Sequence, residues 1–169
     1  MAKADEVAEM VLGDLGQRRL PIDVEEIAKG RGALIVRQDF AKADVSGMLL
    51  REPGRTIIGV NSTHSSVRQR FTIAHELGHL ELHRGRKLIM DTPVRVNFRD
   101  RTSGLATDQE EVQANRFAAT LLMPQELVIR EARVSSHRSV DALIKALAAT
   151  FQVSKEAMSY RLVNLGVLT

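Results

Sequence analysis

Three histidines and two glutamates lie within the thirteen residues FTIAHELGHLELH, at positions 71 to 83, of a chain that has only five histidines. An α-helix places His75 and His79 one turn apart on one face, so both imidazoles can reach a single metal ion. Glu76 lies beside that face, where its carboxylate can accept a proton from water without binding the metal. The spacing therefore predicts a metal site on a helix, with Glu76 as general base.

An HExxH motif alone also arises by chance, as two helical histidines and a glutamate on a solvated face. The surrounding residues favour the metal site. Ile73, Leu77 and Leu80 form an apolar stripe on the opposite side of the helix, which gives the helix a face to bury. Ala74 and Gly78 are small and would let another element approach closely.

A catalytic zinc site needs a third protein ligand and one open position, and a chain without cysteine must use histidine and carboxylate. The segment DQEEVQANRFAATLLM predicts a second helix over about 108–123. Glu111 and Asn115 fall on one stripe of this helix, whereas Glu110 points about 100° away. Glu111 is the better candidate for the third ligand. Asn115 can accept the remaining ring N–H of one histidine ligand.

His83 competes for the third position, since it follows His79 by one more turn. An ion held between His75 and His79 would lie roughly 6 to 12 Å from it along the helix axis, too far for a bond of about 2 Å. We therefore expect His83 to support a ligand, to face the substrate or to be simply a residue of the helix C-terminus.

The composition is that of an ordinary globular protein, with 44% hydrophobic and 27% charged residues. Positive charges are scattered, and the net charge of +3 favours a solvated surface while leaving an acidic or nucleic-acid partner open. The N-terminus lacks the apolar core of a signal peptide, and no apolar stretch reaches membrane-spanning length. We expect a cytoplasmic protein that does not enter a membrane.

Hydrophobic periodicity predicts an α+β fold that is mostly helical. The runs ALIVRQ, SGMLLRE and TIIGVN predict a small, mainly antiparallel three-stranded sheet, with PGR as a hairpin turn between the last two. Residues 86–107 predict a long loop that acts as a lid or binding segment. The helices are expected at about 3–16, 23–30, 66–84, 108–123, 125–132, 139–150 and 154–165.

We expect a metallopeptidase domain over 1–132 and, packed on it, a C-terminal helical subdomain over 133–169. The segment LAATFQVSKEAMSYRLVNLG is similar to a helix-turn-helix, which raises DNA binding as an alternative function. Only Lys155 and Arg161 are candidate phosphate contacts within it, too few for strong electrostatic binding. A metal-binding regulatory module without proteolytic activity is a further alternative.

The segments RQRFTIAHELGHLELH and EEVQANRFAATLLMP together resemble the ImmA/IrrE family of bacterial metallopeptidases. LPIDVEEIAKGRGALIV, SGMLL, TIIGVN and NFRD extend the resemblance over roughly residues 20–165. It implies a gluzincin-like Zn²⁺ site with His75, His79 and Glu111 as ligands, Glu76 as general base and Asn115 as support. It also implies an intracellular endopeptidase that cleaves a helix-turn-helix repressor in a mobile-element or stress-response circuit.

Two features depart from the family pattern. Many relatives carry an N-terminal DNA-binding domain, whereas only about twenty residues here precede the segment in which the resemblance starts. We therefore expect the repressor to be a separate chain. The doubled Glu110 and Glu111 leave the register of the third ligand open by one position, although the spacing to Asn115 favours Glu111.

Overall fold

The computed structural model describes residues 3–14, 16, 19–40, 45–85, 87–91, 107–135 and 139–168. These residues form seven helices and four strands, and the α+β fold class is confirmed. In chain order the elements are α1 (Lys3–Asp14), α2 (Val24–Gly30), β1 (Ala33–Gln38), β2 (Gly47–Glu52), β3 (Arg55–Asn61), α3 (Ser66–Leu82), β4 (Leu88–Asp91), α4 (Asp108–Leu122), α5 (Gln125–Val134), α6 (Val140–Phe151) and α7 (Lys155–Asn164).

The sheet has the strand order β1-β3-β2-β4. β2 and β3 form the predicted antiparallel hairpin, in which Glu52 pairs with Arg55. Gly54 has a φ of 80° in the turn, a conformation that glycine adopts without steric cost. β1 pairs parallel with β3, because β2 runs in the opposite direction between them and brings the chain back to the end of the sheet where β1 starts. The sheet is therefore mixed.

The prediction of three strands was wrong by one, because β4 pairs antiparallel with the other side of β2. This strand lies within the segment 86–107, which was expected to be a loop throughout. Its four residues are too few to show a hydrophobic period, and such a short edge strand forms only because β2 offers an unpaired edge. Residues 86 and 92–106 of that predicted loop lie outside the described part of the chain.

The helix that carries the HExxH motif packs on the sheet through its apolar stripe. Ile73 and Leu77 are fully buried and belong to one hydrophobic cluster with Leu49 of β2 and Ile58 of β3. Gly47, at the start of β2, allows the close approach, since a Cβ atom there would lie 2.4 Å from Cγ2 of Thr72. Helix and sheet are thus in direct contact at the level of the motif.

Helices α1 and α4 are joined by a buried carboxylate. Asp5 of α1 accepts hydrogen bonds from Nε of Arg116 at 2.8 Å and from the hydroxyl of Thr120 at 2.7 Å, both on α4. Because α4 carries Glu111, this cluster helps to hold that helix in place.

The C-terminal helices share the core of the rest of the molecule. Leu147, Phe151 and Leu162 lie in the same buried cluster as Phe117 of α4. Gln152 has a left-handed backbone conformation between α6 and α7, and α7 begins at the side-chain cap that Ser154 provides. The boundary between residues 132 and 133 stays a prediction.

Candidate metal centre

His75 and His79 face each other on successive turns of α3. Their Nε2 atoms are 3.0 Å apart, and both side chains are almost completely buried. The helix starts at Ser65, whose side chain accepts a hydrogen bond from the N–H of Arg68 and so caps the first turn. One turn of separation and shared burial bring the two imidazoles to one point, as the motif spacing predicts.

Glu111 of α4 is the carboxylate that approaches the two histidines. Its oxygens lie 3.2 Å from Nε2 of His75 and 3.3 Å from Nε2 of His79. Within the described residues these three side chains form a candidate metal-binding group, whose ligand atoms all lie within 4.8 Å of one another. The Glu111 side chain is 31% exposed, so the group is open on the side of α4.

Glu110 is engaged elsewhere. Its carboxylate accepts hydrogen bonds from the backbone N–H and the hydroxyl of Thr107, and the Thr107 hydroxyl caps the N–H of Glu110 in return. This reciprocal capping box fixes the first turn of α4. The geometry therefore brings Glu111, and not its neighbour, to the histidines.

Asn115 orients His75. Its amide oxygen lies 3.0 Å from Nδ1 of His75. An amide oxygen can only accept a hydrogen bond, so Nδ1 carries the proton and, in the neutral ring, Nε2 presents a lone pair to His79 and Glu111. A lone pair directed at a carboxylate calls for a cation between them.

The pKa values of the group favour metal binding. Burial, the main cause, lowers the pKa of His79 and keeps its ring neutral. Burial would raise the pKa of Glu111, but the close contacts of its carboxylate with His75 and His79 outweigh burial and lower that pKa to about 2. Two imidazoles and one ionised carboxylate match the His₂Glu donor set of catalytic zinc sites, and the residues fit such an ion.

Glu76 is fully buried beside the group. A Cβ atom on Gly47 would lie 3.0 Å from Oε1 of Glu76, so the carboxylate packs against the start of β2. The glutamate is thus held between its own helix and the sheet.

His83 does not join the metal group. It ends α3 as the C-cap residue, and its Nδ1 lies 3.0 Å from Nδ1 of His79, while its Nε2 lies 3.0 Å from Oε1 of Gln113. Of the positions expected for His83, the structure matches two: the C-terminus of the helix and a contact with His79. The side chain is buried.

Two residues near the group were missed by the sequence analysis. Arg51 of β2 donates hydrogen bonds to the carbonyls of His79 at 2.9 Å and His83 at 3.0 Å, at the C-terminal end of α3. Its position was a signal, because Arg51 follows Leu49 by two residues and so lies on the buried face of a strand. Gln113 has no such signal, since only the packing of α4 on α3 brings it to His83.

Two facing helices that present two histidines and a glutamate on a small α+β scaffold define a metallopeptidase-type candidate site. The family model Peptidase M78, described as the IrrE N-terminal-like domain, matches residues 28–163. The chain belongs to this family, which confirms the resemblance. The family name indicates peptidase activity.

A Mycobacterium tuberculosis transcriptional regulator has a similar structure, with a TM-score of 0.63 and 19% sequence identity. The match covers 96% of this chain but 46% of that chain. This chain therefore spans less than half of the regulator, and the likeness shows the fold alone. A comparison with curated proteins found no significant match. Among the described residues, no helix combines the length and apolar character needed to cross a bilayer.

Proposed function

We propose that this protein is a zinc-dependent endopeptidase of the cytoplasm that cleaves a helix-turn-helix transcriptional repressor. The convergence of His75, His79 and Glu111 carries the proposal, because two imidazoles and an ionised carboxylate present ligand atoms that all lie within 4.8 Å of one another. Membership of a peptidase family supports hydrolysis as the reaction.

Each residue has a distinct task in this proposal. His75, His79 and Glu111 hold the zinc ion, and Asn115 orients His75. Zinc bound there supplies Lewis acidity, which makes water more acidic and polarises a peptide carbonyl. Glu76 accepts a proton from the attacking water and returns it to the leaving amine. Its burial against β2 holds the carboxylate in one orientation for both steps.

The substrate remains a proposal that follows from the family resemblance. A helix-turn-helix repressor would reach the open side of the group near Glu111. The mobile-element or stress-response setting is proposed on the same basis.

The structure lends little support to the DNA-binding alternative. Arg161, one of two candidate phosphate contacts, donates from Nε to the carbonyl of Met123 and is half-buried. Lys155 is exposed, but the adjacent exposed Glu156 offsets its charge. Tyr160 and Val163 make up much of the remaining exposed surface of α7. Such a face lacks the positive charge that phosphate binding requires.

A Glu76→Gln variant tests the catalytic proposal. Metal analysis of the purified wild type and variant should find about one zinc per chain in both, since three-ligand sites bind one ion. The variant should lose peptide hydrolysis, because an amide cannot accept the proton. Retained hydrolysis would show that Glu76 is not the base, and loss of zinc would show a structural role instead.

Incubation with a helix-turn-helix repressor encoded beside the gene tests the substrate. Cleavage should require zinc, stop on addition of a chelator and be absent with Glu76→Gln. Zinc binding without cleavage of any such repressor would favour the metal-binding regulatory alternative. Gel-shift binding to DNA with a steep salt dependence would favour the nucleic-acid alternative.

A further inference from the structure

Three side chains form a hydrogen-bonded relay that runs away from the metal group. Nδ1 of His79 lies 3.0 Å from Nδ1 of His83, and Nε2 of His83 lies 3.0 Å from Oε1 of Gln113. His79 and His83 belong to the end of α3, whereas Gln113 comes from α4, two residues after Glu111. The relay of Gln113, His83 and His79 therefore connects both helices of the site.

The amide oxygen sets the direction of every proton in this relay. Oε1 of Gln113 accepts, so Nε2 of His83 carries a proton and, in the neutral ring, Nδ1 of His83 is an acceptor. Nδ1 of His79 must then donate to it, and Nε2 of His79 retains its lone pair. A donor at position 113 would reverse each bond and leave a proton on the Nε2 atom that faces Glu111.

We infer that Gln113 is a positioning residue which, through His83, keeps the metal-facing nitrogen of His79 unprotonated. This inference rests on the proposed zinc site and extends it. Asn115 sets the tautomer of His75 in the same way but directly, because its amide oxygen lies 3.0 Å from Nδ1 of His75. Helix α4 thus supplies one ligand and the two amide oxygens that select the tautomers of the other two ligands.

Two substitutions of similar length separate this role from simple packing. Gln113→Met removes the acceptor, whereas Gln113→Lys replaces it with a donor. Methionine and lysine have similar helix propensities, so a purely structural role predicts similar effects. The relay predicts that zinc affinity, measured by competition with a chelator, falls about 10-fold to 100-fold in Gln113→Met and falls further in Gln113→Lys.

Charge must be separated from proton direction in the lysine variant. Gln109→Lys adds the same charge one turn earlier on α4, at an exposed position, and should change zinc affinity little. In a His83→Phe background the relay is broken, so the substitutions at position 113 should lose most of their effect.

The tautomer of His79 can be read without metal or substrate. Two-bond ¹H–¹⁵N correlation spectra of the metal-free protein should show that the fraction of His79 protonated at Nδ1 is highest in the wild type, lower in Gln113→Met and lowest in Gln113→Lys. Equal spectra across the series, or equal zinc affinities for the methionine and lysine variants, would overturn the inference. A wild type that binds no zinc would remove the proposed function, while the spectra would still test the role of Gln113.

Discussion

Gly78 lies directly against the backbone of Ala114. A Cβ atom on Gly78 would be 3.1 Å from both the Cα and the carbonyl oxygen of Ala114, and 3.1 Å from a ring carbon of Phe117. Backbone atoms cannot move aside as a flexible side chain can. The fourth residue of the HExxH motif therefore sets how closely the two ligand-bearing helices approach.

Gly78→Ala should push α4 away from α3. We expect a loss of about 1–3 kcal/mol in the free energy of unfolding from overpacking, together with weaker zinc binding because Glu111 moves with its helix. Chemical denaturation and chelator competition measure the two effects.

Gly13→Ala is the matched control for that variant. Gly13 also lies in a helix, but a Cβ atom there would contact nothing within 4 Å. The same substitution should stabilise the protein by roughly 0.5–1 kcal/mol. Stabilisation by Gly78→Ala as well would disprove the close-approach argument.

Replacing each of the adjacent glutamates tests the register of the third ligand. Glu111→Ala should reduce zinc affinity by more than the roughly 100-fold that loss of a supporting contact causes. Glu110→Ala should retain most of the affinity and cost about 1 kcal/mol of stability, because it opens the capping box with Thr107. Metal competition and thermal unfolding should be run on both variants, and a reversed pattern would assign the ligand to Glu110.

Arg51 should stabilise the end of α3 on which His79 and His83 depend. Arg51→Met removes a cationic donor from two C-terminal carbonyls, and we expect a cost of about 1–3 kcal/mol with reduced zinc affinity. Arg55→Met is the control, since Arg55 pairs with Glu52 in the exposed hairpin and should matter by less than about 1 kcal/mol. Equal losses in urea unfolding would contradict a specific role for Arg51.

Asp5 should make the stability of the fold depend on acidity. Burial raises its pKa, but hydrogen bonds from Arg116 and Thr120 outweigh burial and leave the pKa below its usual value. A lowered pKa in the folded state means that the stabilisation is present above the unfolded value and is lost as pH falls through the folded value. Asp5→Asn should therefore cost about 1–3 kcal/mol near neutral pH and progressively less in acid.

Asp14→Asn is the comparison for Asp5→Asn. Asp14 is 53% exposed and bonds Arg31, so its removal should change stability by less than about 1 kcal/mol. Denaturation curves across an acid titration give the comparison. A constant difference between wild type and Asp5→Asn down to the most acidic pH would refute the assignment.

Features that depend on local geometry could be predicted from the sequence. The separation of His75 from His79 follows from the pitch of one helix, and the hairpin follows from Gly54 and its flanking strands. Predicting Glu111 as a ligand required the further assumption that two helices far apart in sequence pack together, and the family resemblance supported that assumption. The site residues matched their predicted positions where one helix, or one known helix pair, determined them.

Features that depend on tertiary approach could not be predicted. β4 forms because β2 has a free edge, and the four residues of β4 carry no sequence pattern that predicts a strand. Gln113 reaches His83 only because Gly78 lets the helices meet. Arg161 was only a candidate phosphate contact in the sequence, and its bond to the carbonyl of Met123 could not be predicted from hydrophobic periodicity.

The capping box at Thr107 has a consequence for the motion of the protein. Glu111 follows the cap closely, within the opening turns of α4. Fraying of this short stretch would withdraw the carboxylate while the remaining core stayed folded. Amide hydrogen exchange at these few residues should therefore slow when the site binds a metal ion. The exchange rate of this turn would then report whether the metal site is occupied.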